Sequence, residues 1–184
     1  MLKFKCLLVI AFIISLNARA QDKFFTKTGK IEFSSKAPME DIEAKNKTLA
    51  GILDTKTGML QFTVLMKGFE FPKALMQEHF NENYIESDKY PRGEFKGSVS
   101  NNQSVNYAVD GSYPAEVSGK LTLHGVTRDL KTKGLIKVEN GKVQTTTSFT
   151  VLLSDYNIKI PSVVKDKLSN KISVSVDCKL DPLK

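Results

Sequence analysis

Few residues in this 184-residue chain are equipped for catalysis: two histidines, His79 and His124, and two cysteines, Cys6 and Cys178. Neither histidine sits in an H-E-x-x-H or C-x-x-C setting, the spacings that gather zinc ligands on one face. Glu78, His79, Glu82 and Glu86 share one stretch and could in principle collect a metal. Glutamates at i, i+4 and i+8, however, read as a solvated helix stripe, so no metal is expected. There is no G-x-S-x-G elbow and no glycine-rich phosphate loop between a strand and a helix. A triad assembled from distant strands would have to recruit one of the two histidines, which keeps a His-dependent hydrolase or isomerase as a minor reading. His124-Gly125 reads as a hairpin tip in which the glycine supplies the unusual φ. His79, beside Phe80, reads as a helix residue that hydrogen-bonds a loop carbonyl, with a ligand contact as the alternative.

The amino terminus carries an address rather than a site. Lys3 and Lys5, the ten apolar residues Leu7 to Leu16, and Ala18-Arg19-Ala20 form the three parts of an export signal. Residues 1–20 are therefore predicted to be cleaved, leaving one domain over residues 21–184 in the periplasm or outside the cell. The apolar run is too short for a spanning helix, which needs about 20 residues. Cleavage removes Cys6 and leaves Cys178 alone, so no disulfide can form within the mature chain. Cys178 shares a strand side with Ile172, Val174, Val176 and Leu180 and reads as a small buried apolar residue. The mature chain keeps 24 basic against 20 acidic side chains, scattered without a dense run, which argues against nucleic acid. Asn46-Lys47-Thr48 and Asn102-Gln103-Ser104 match glycosylation sequons and are assigned no role.

What must position these residues is sheet. Period-two alternation marks strands at Ile31/Phe33, Leu60/Phe62/Val64/Met66, Val105/Tyr107/Val109, Val117/Gly119/Leu121/Leu123, Leu130 to Val138, Thr147 to Leu153 and Ile172 to Leu180. Weaker strands are expected from Ile42 to Leu53 and around Phe95 to Val99. Asn140-Gly141 is a two-residue hairpin signal, and the short connections imply antiparallel neighbours. Pro72 to Ser87 departs from the pattern and predicts one short helix, with Leu75, Met76, His79 and Phe80 at helical spacing. The fold class is all-β, and eight or nine such strands suit either a sandwich or a closed barrel.

The order of several short motifs adds a resemblance. His79-Phe80, Asp88-Lys89-Tyr90-Pro91 and Phe95 are followed by Gly119-Lys120-Leu121-Thr122-Leu123-His124-Gly125-Val126-Thr127. Phe149-Thr150-Val151, Asp155-Tyr156-Asn157-Ile158 and Pro161 come next. In this the chain resembles the YceI-like family of exported lipid-binding proteins over about residues 25–180. The resemblance implies an antiparallel eight-stranded lipocalin-like β-barrel with one short helix, a tunnel for a long isoprenoid chain, and no catalytic residues.

The inward set of the strongest strands would then line the tunnel. These are Phe33, then Leu60, Phe62, Val64 and Met66, then Phe95, Val105 and Tyr107, then Leu121, Leu123 and Ile136, then Phe149, Val151, Val174 and Val176. The helix would bring Met76 and Phe80 and close one mouth as a lid. Affinity would rest on buried area, each CH₂ contributing up to ~0.8 kcal/mol, with a headgroup serving mainly for orientation. The expected partner is a long-chain apolar lipid such as a polyprenyl chain or quinone, held for carriage, storage or sequestration without turnover. No cofactor is expected. Transient membrane contact for lipid exchange and a homodimer through an outer barrel face are compatible with the pattern. A filled core serving as a ligand-free interaction or stress-response module is the alternative.

Overall fold

The computed structural model describes residues 22–183; the export signal expected at residues 1–20 lies outside them. Eight antiparallel strands in chain order close into one up-and-down barrel. They are β1 (Lys23–Lys36), β2 (Asp41–Asp54), β3 (Met59–Leu65), β4 (Arg92–Val99), β5 (Gly111–Leu123), β6 (Val126–Glu139), β7 (Lys142–Leu152) and β8 (Lys171–Pro182). Closure comes from β1 pairing with β8, for example Phe33 opposite Val174 and Ile31 opposite Val176. This resolves the sandwich-or-barrel alternative in favour of the barrel.

The predicted turns form where their residues allow positive φ. His124 and Gly125 have φ of 50° and 72°, and Asn140 and Gly141 have 51° and 71°, so both hairpins bend in the sense that matches strand twist. The connections sort to two ends. At one end lie the Asp54–Met59 and Asn140-Gly141 turns and the 100–110 loop; at the other lie the 37–40 turn, the whole 66–91 excursion, His124-Gly125 and the 153–170 loop.

Val105, Tyr107 and Val109 do not form a strand, contrary to the alternation. Their segment follows a 3-10 turn, Asn102–Ser104, and packs across the first end of the barrel. Asx chemistry overrides the β-branched residues there. The Asn106 side chain accepts from the Ala108 amide, Asp110 accepts from the Asn140 amide, and the Tyr107 hydroxyl donates to Asn102 Oδ1 at 2.8 Å. Met66, expected to end a strand, opens a 3-10 turn after β3. The helix is shorter than expected: α1 spans Ala74–His79 and continues as a π-helical stretch, Phe80–Tyr84, with Lys73 rather than Pro72 at its start.

The barrel is filled at one end only. Leu53, Val138, Val143, Cys178 and Leu180 are buried near the Asn140-Gly141 end, and Val105 seals them from outside. Burial in this solid part raises the Cys178 thiol from near 9 to about 12, with the Asp177 charge adding to it. Burial likewise raises the Tyr107 phenol from 10.0 to about 12. In the unfolded chain both groups lose their protons at lower pH than in the fold. Above about pH 9 the unfolded state thus binds fewer protons, and stability falls as pH rises. The contribution is complete below about 9 and is lost as pH climbs through about 12. Urea midpoints at about pH 8 and about pH 11 should show this decline, and a Cys178→Ala, Tyr107→Phe double variant should show a flatter one.

Candidate binding cavity

Two neighbouring strand pairs stop hydrogen-bonding halfway along the barrel. β2 meets β3 only over Ala50 to Leu53, and β6 meets β7 only over Gly134 to Glu139. Beyond these points, toward the helix end, the strands diverge and the barrel widens around an apolar cavity of about 540 Å³, well within the range of small-molecule sites. Its floor is Leu60, Val99, Ala115 and Ile136, resting on the solid core. From Ala115 at the floor to Leu123 near the mouth, β5 covers about 26 Å of strand, or about 20 Å along a tilted barrel axis.

The seams are closed differently. At the β2–β3 seam the segment that follows the Met66–Gly68 turn bridges to β2 at a single residue pair. Lys45 and Glu70 exchange backbone hydrogen bonds at 3.1 and 2.8 Å, and the Asn46 side chain donates to the Leu65 carbonyl. Asn46 is buried there, so its sequon has no accessible side chain. This bridge places Phe69 and Phe71 beside Phe33 and Phe80, with neighbouring ring centroids 5.1–5.8 Å apart. At the β6–β7 seam side chains replace the ladder. The Thr132 hydroxyl donates to the Ser148 carbonyl at 3.1 Å, and the Thr147 hydroxyl donates to the Lys133 carbonyl at 2.8 Å.

Fifteen of the seventeen residues expected at the tunnel wall border the cavity. Phe33, Phe62, Phe95, Leu121, Leu123, Phe149, Val174 and Val176 are only partly buried and stand along it, whereas Leu60, Val64, Met66, Ile136 and Val151 are packed into the wall itself. Met76 and Phe80 come from the helix. Val105 and Tyr107 do not reach the cavity, because their segment plugs the opposite end. Sequence reading missed Phe69 and Phe71 as well as Ile31, Ile42, Leu130 and Tyr84. The Phe69-Glu70-Phe71 alternation was the available signal. The ionisable lining gathers at the mouth, Glu40, Lys73, His79 and Lys167, with Glu40 and Lys73 paired at 3.0 Å, while Thr132 and Thr145 to Thr147 add hydroxyls at the β6–β7 seam.

His124 sits at the hairpin tip as expected, whereas His79 does not find its expected partner. His79 is exposed at the mouth and meets the Asn83 side chain at 3.0 Å rather than a loop carbonyl. His124 is more than a bend-tolerant tip. Its Nδ1 meets the Tyr156 carbonyl at 2.9 Å and its Nε2 meets Glu86 Oε2 at 2.7 Å. Glu86 therefore leaves the solvated stripe it shares in sequence with Glu78 and Glu82. The Tyr90 ring stands edge-on against the imidazole with centroids 4.5 Å apart and leaves no room for a side chain at Gly125. Arg128 adds a hydrogen bond to the Asp155 carbonyl at 2.9 Å. The H-G, K-Y-P and D-Y-N motifs thus meet in one knot that ties the end of the helical excursion to the barrel. Among the described residues no cluster of three His, Cys, Asp or Glu is placed to hold a metal ion, and no helix is long and apolar enough to cross a membrane.

The YceI-like domain family matches residues 14–180 of the chain. No curated protein matches it. Among solved structures, it is similar to a polyisoprenoid binding domain from Saccharophagus degradans implicated in plant cell wall breakdown. That likeness has a TM-score of 0.77 at 15% identity, covering 89% of this chain and 99% of that one. Burkholderia cenocepacia BcnA follows at 0.68 and 13%, covering 83% and 96%. A Campylobacter jejuni YCEI protein gives 0.54 and 15%, covering 100% and 92%. At these identities the likeness is one of fold.

Because His124 is nearly enclosed and serves two partners, His124→Ala should lower stability by about 2–3 kcal/mol. The urea midpoint should drop with an unchanged slope, and amide exchange across residues 74–90 should accelerate more than across β7 and β8.

Proposed function

The chain belongs to the YceI-like family, and we propose on that premise that it is an exported, non-enzymatic lipid-binding protein that holds an isoprenoid-type chain in its cavity. The observation that carries this reading is the cavity itself: a deep apolar hollow, solid at its floor, with charged side chains only at its mouth. Such a hollow suits a slim apolar chain with a polar end, the chain taking the depth and the end staying among Glu40, Lys73, His79 and Lys167. The half-buried faces of Leu121, Leu123, Phe149 and Val174 complete their burial only when something apolar fills the space. The solved polyisoprenoid binding domain of the same fold supports the choice of ligand class.

The settings of the histidines favour binding over turnover. His124 has both ring nitrogens engaged in the knot, and His79 stands exposed at the mouth against Asn83, with no carboxylate or nucleophile among the described residues paired to it. Carriage, storage and sequestration share this chemistry and differ in what the protein meets. The reading places the mature protein, residues 21–184, in the periplasm or outside the cell.

Native mass spectrometry of the mature protein purified without detergent, followed by organic extraction, tests the reading. One polyprenyl or quinone-type molecule per chain is expected. An apo mass with no uptake of added prenyl alcohols overturns it. Val174→Trp, which places a bulky ring in the hollow rather than in the packed wall around Met66, should reduce uptake of long prenyl alcohols at least tenfold. It should shift the urea midpoint little. For the wild-type protein, affinity should rise with chain length until the hollow is full and then level off.

A further inference from the structure

The rim of the mouth carries apolar side chains that nothing in the fold covers. Met39, Leu75 and Val163 are 69%, 60% and 86% exposed. They come from three separate elements: the β1–β2 turn, the first turn of α1 and the 3-10 turn Ser162–Val164. Two contacts hold these elements to one rim. The Met39 amide donates to the Asp166 carbonyl at 2.9 Å, and Lys73 Nζ donates to Glu40 Oε1 at 3.0 Å. Immediate neighbours of the three, Glu40, Met76 and Val164, border the cavity, as does Leu75 itself.

We propose that this rim docks on the surface of a lipid bilayer, with Met39, Leu75 and Val163 inserted among the lipids and the cavity mouth facing the membrane. The proposal rests on the lipid-binding reading for its purpose, since an apolar chain passing between bilayer and cavity would otherwise cross water. A rim seated in the interface removes that gap. Isolated exposed apolar residues are ordinary; three around the opening of an apolar cavity, on elements tied to each other, form a patch continuous with that cavity. Lys36, Lys73, Lys165 and Lys167 stand on the same elements, where their stems can lie against apolar surface while the ammonium groups reach phosphate level. Glu40, Asp41 and Asp166 nearly balance them. Docking therefore depends on apolar insertion, with charge setting orientation, and should respond weakly to salt.

The chain contains no tryptophan, so Val163→Trp supplies a single reporter. With vesicles of phosphatidylethanolamine and a minority of phosphatidylglycerol, its emission should move to the blue and be quenched by lipid-borne quenchers; unchanged emission overturns the proposal. In co-sedimentation with the same vesicles, the triple variant Met39→Ser, Leu75→Ser, Val163→Ser should bind about tenfold or more weakly than the wild-type protein. Met59→Ser, which removes an exposed apolar side chain at the opposite end, should leave binding unchanged. Equal sedimentation of the triple and wild-type proteins, or equal loss in Met59→Ser, overturns the proposal. Uptake of farnesol from solution separates the two readings. Uptake retained by a triple variant that sediments like wild type refutes docking alone. No uptake by wild-type protein that still binds vesicles through its rim refutes the lipid-holding reading and leaves docking standing.

Discussion

A strand that leaves its neighbour exposes a row of backbone amides and carbonyls, and a barrel tolerates this only where other groups take the place of the ladder. Here the departure happens twice, at the β2–β3 and β6–β7 seams, and on the same half of the barrel. Continuous pairing all the way up would give an eight-stranded barrel just wide enough to be filled by its own side chains. Divergence instead opens a hollow above a conventional core. The long excursion between β3 and β4 serves the same constraint, since Glu70 restores two backbone hydrogen bonds to Lys45 on β2, and the Asn46 side chain caps the Leu65 carbonyl, before the chain turns into the helix.

The knot around His124 belongs to this arrangement. A segment tied to β2 by only two backbone hydrogen bonds needs an anchor at its far end. Glu86, Tyr90 and the Tyr156 carbonyl, brought from loops 38 and 32 residues away from the histidine, provide one around a single imidazole. The four-ring cluster of Phe33, Phe69, Phe71 and Phe80 holds the near end. Between these two fixings the helix is supported by few buried residues of its own, as its lack of any fully buried side chain in Ala74–Tyr84 makes plain. Rigid wall and lightly held helix thus arise from one division of labour between ladder and side-chain contacts.

Much of this was legible in the alternation of apolar residues, because side-chain direction in a strand follows from period two whatever the strand's neighbours. That is why Leu121, Leu123, Phe149, Val174 and Val176 could be assigned to the wall without knowing its shape. Closure was not legible from pattern: it depends on β1 meeting β8, and nothing local in Phe33 or Val174 announces a partner across the whole chain. The motif resemblance supplied the barrel instead. Val105-Asn106-Tyr107-Ala108-Val109 misled because its alternation is real while Asn102, Asn106 and Asp110 bend the backbone around it. Phe69 and Phe71 were passed over for brevity, since the Phe69-Glu70-Phe71 alternation is real but only three residues long before Pro72. The motif histidine was read locally as a turn residue, and its second role depends on a glutamate that sequence spacing assigned to a solvated helix face.

The plug formed by the 100–110 segment and the solid core behind it impose an order on anything that uses the hollow. Along the barrel axis the hollow is closed at the floor and opens among the helix-end loops, so a guest lying on that axis would come and go at one face, the first part to enter being the last to leave. On the proposed reading, a chain with one polar end would enter tail first and depart head first, its polar end staying at the mouth. Along that axis the geometry is that of a quiver rather than a pipe: the packed floor bars passage from the helix end to the Asn140-Gly141 end.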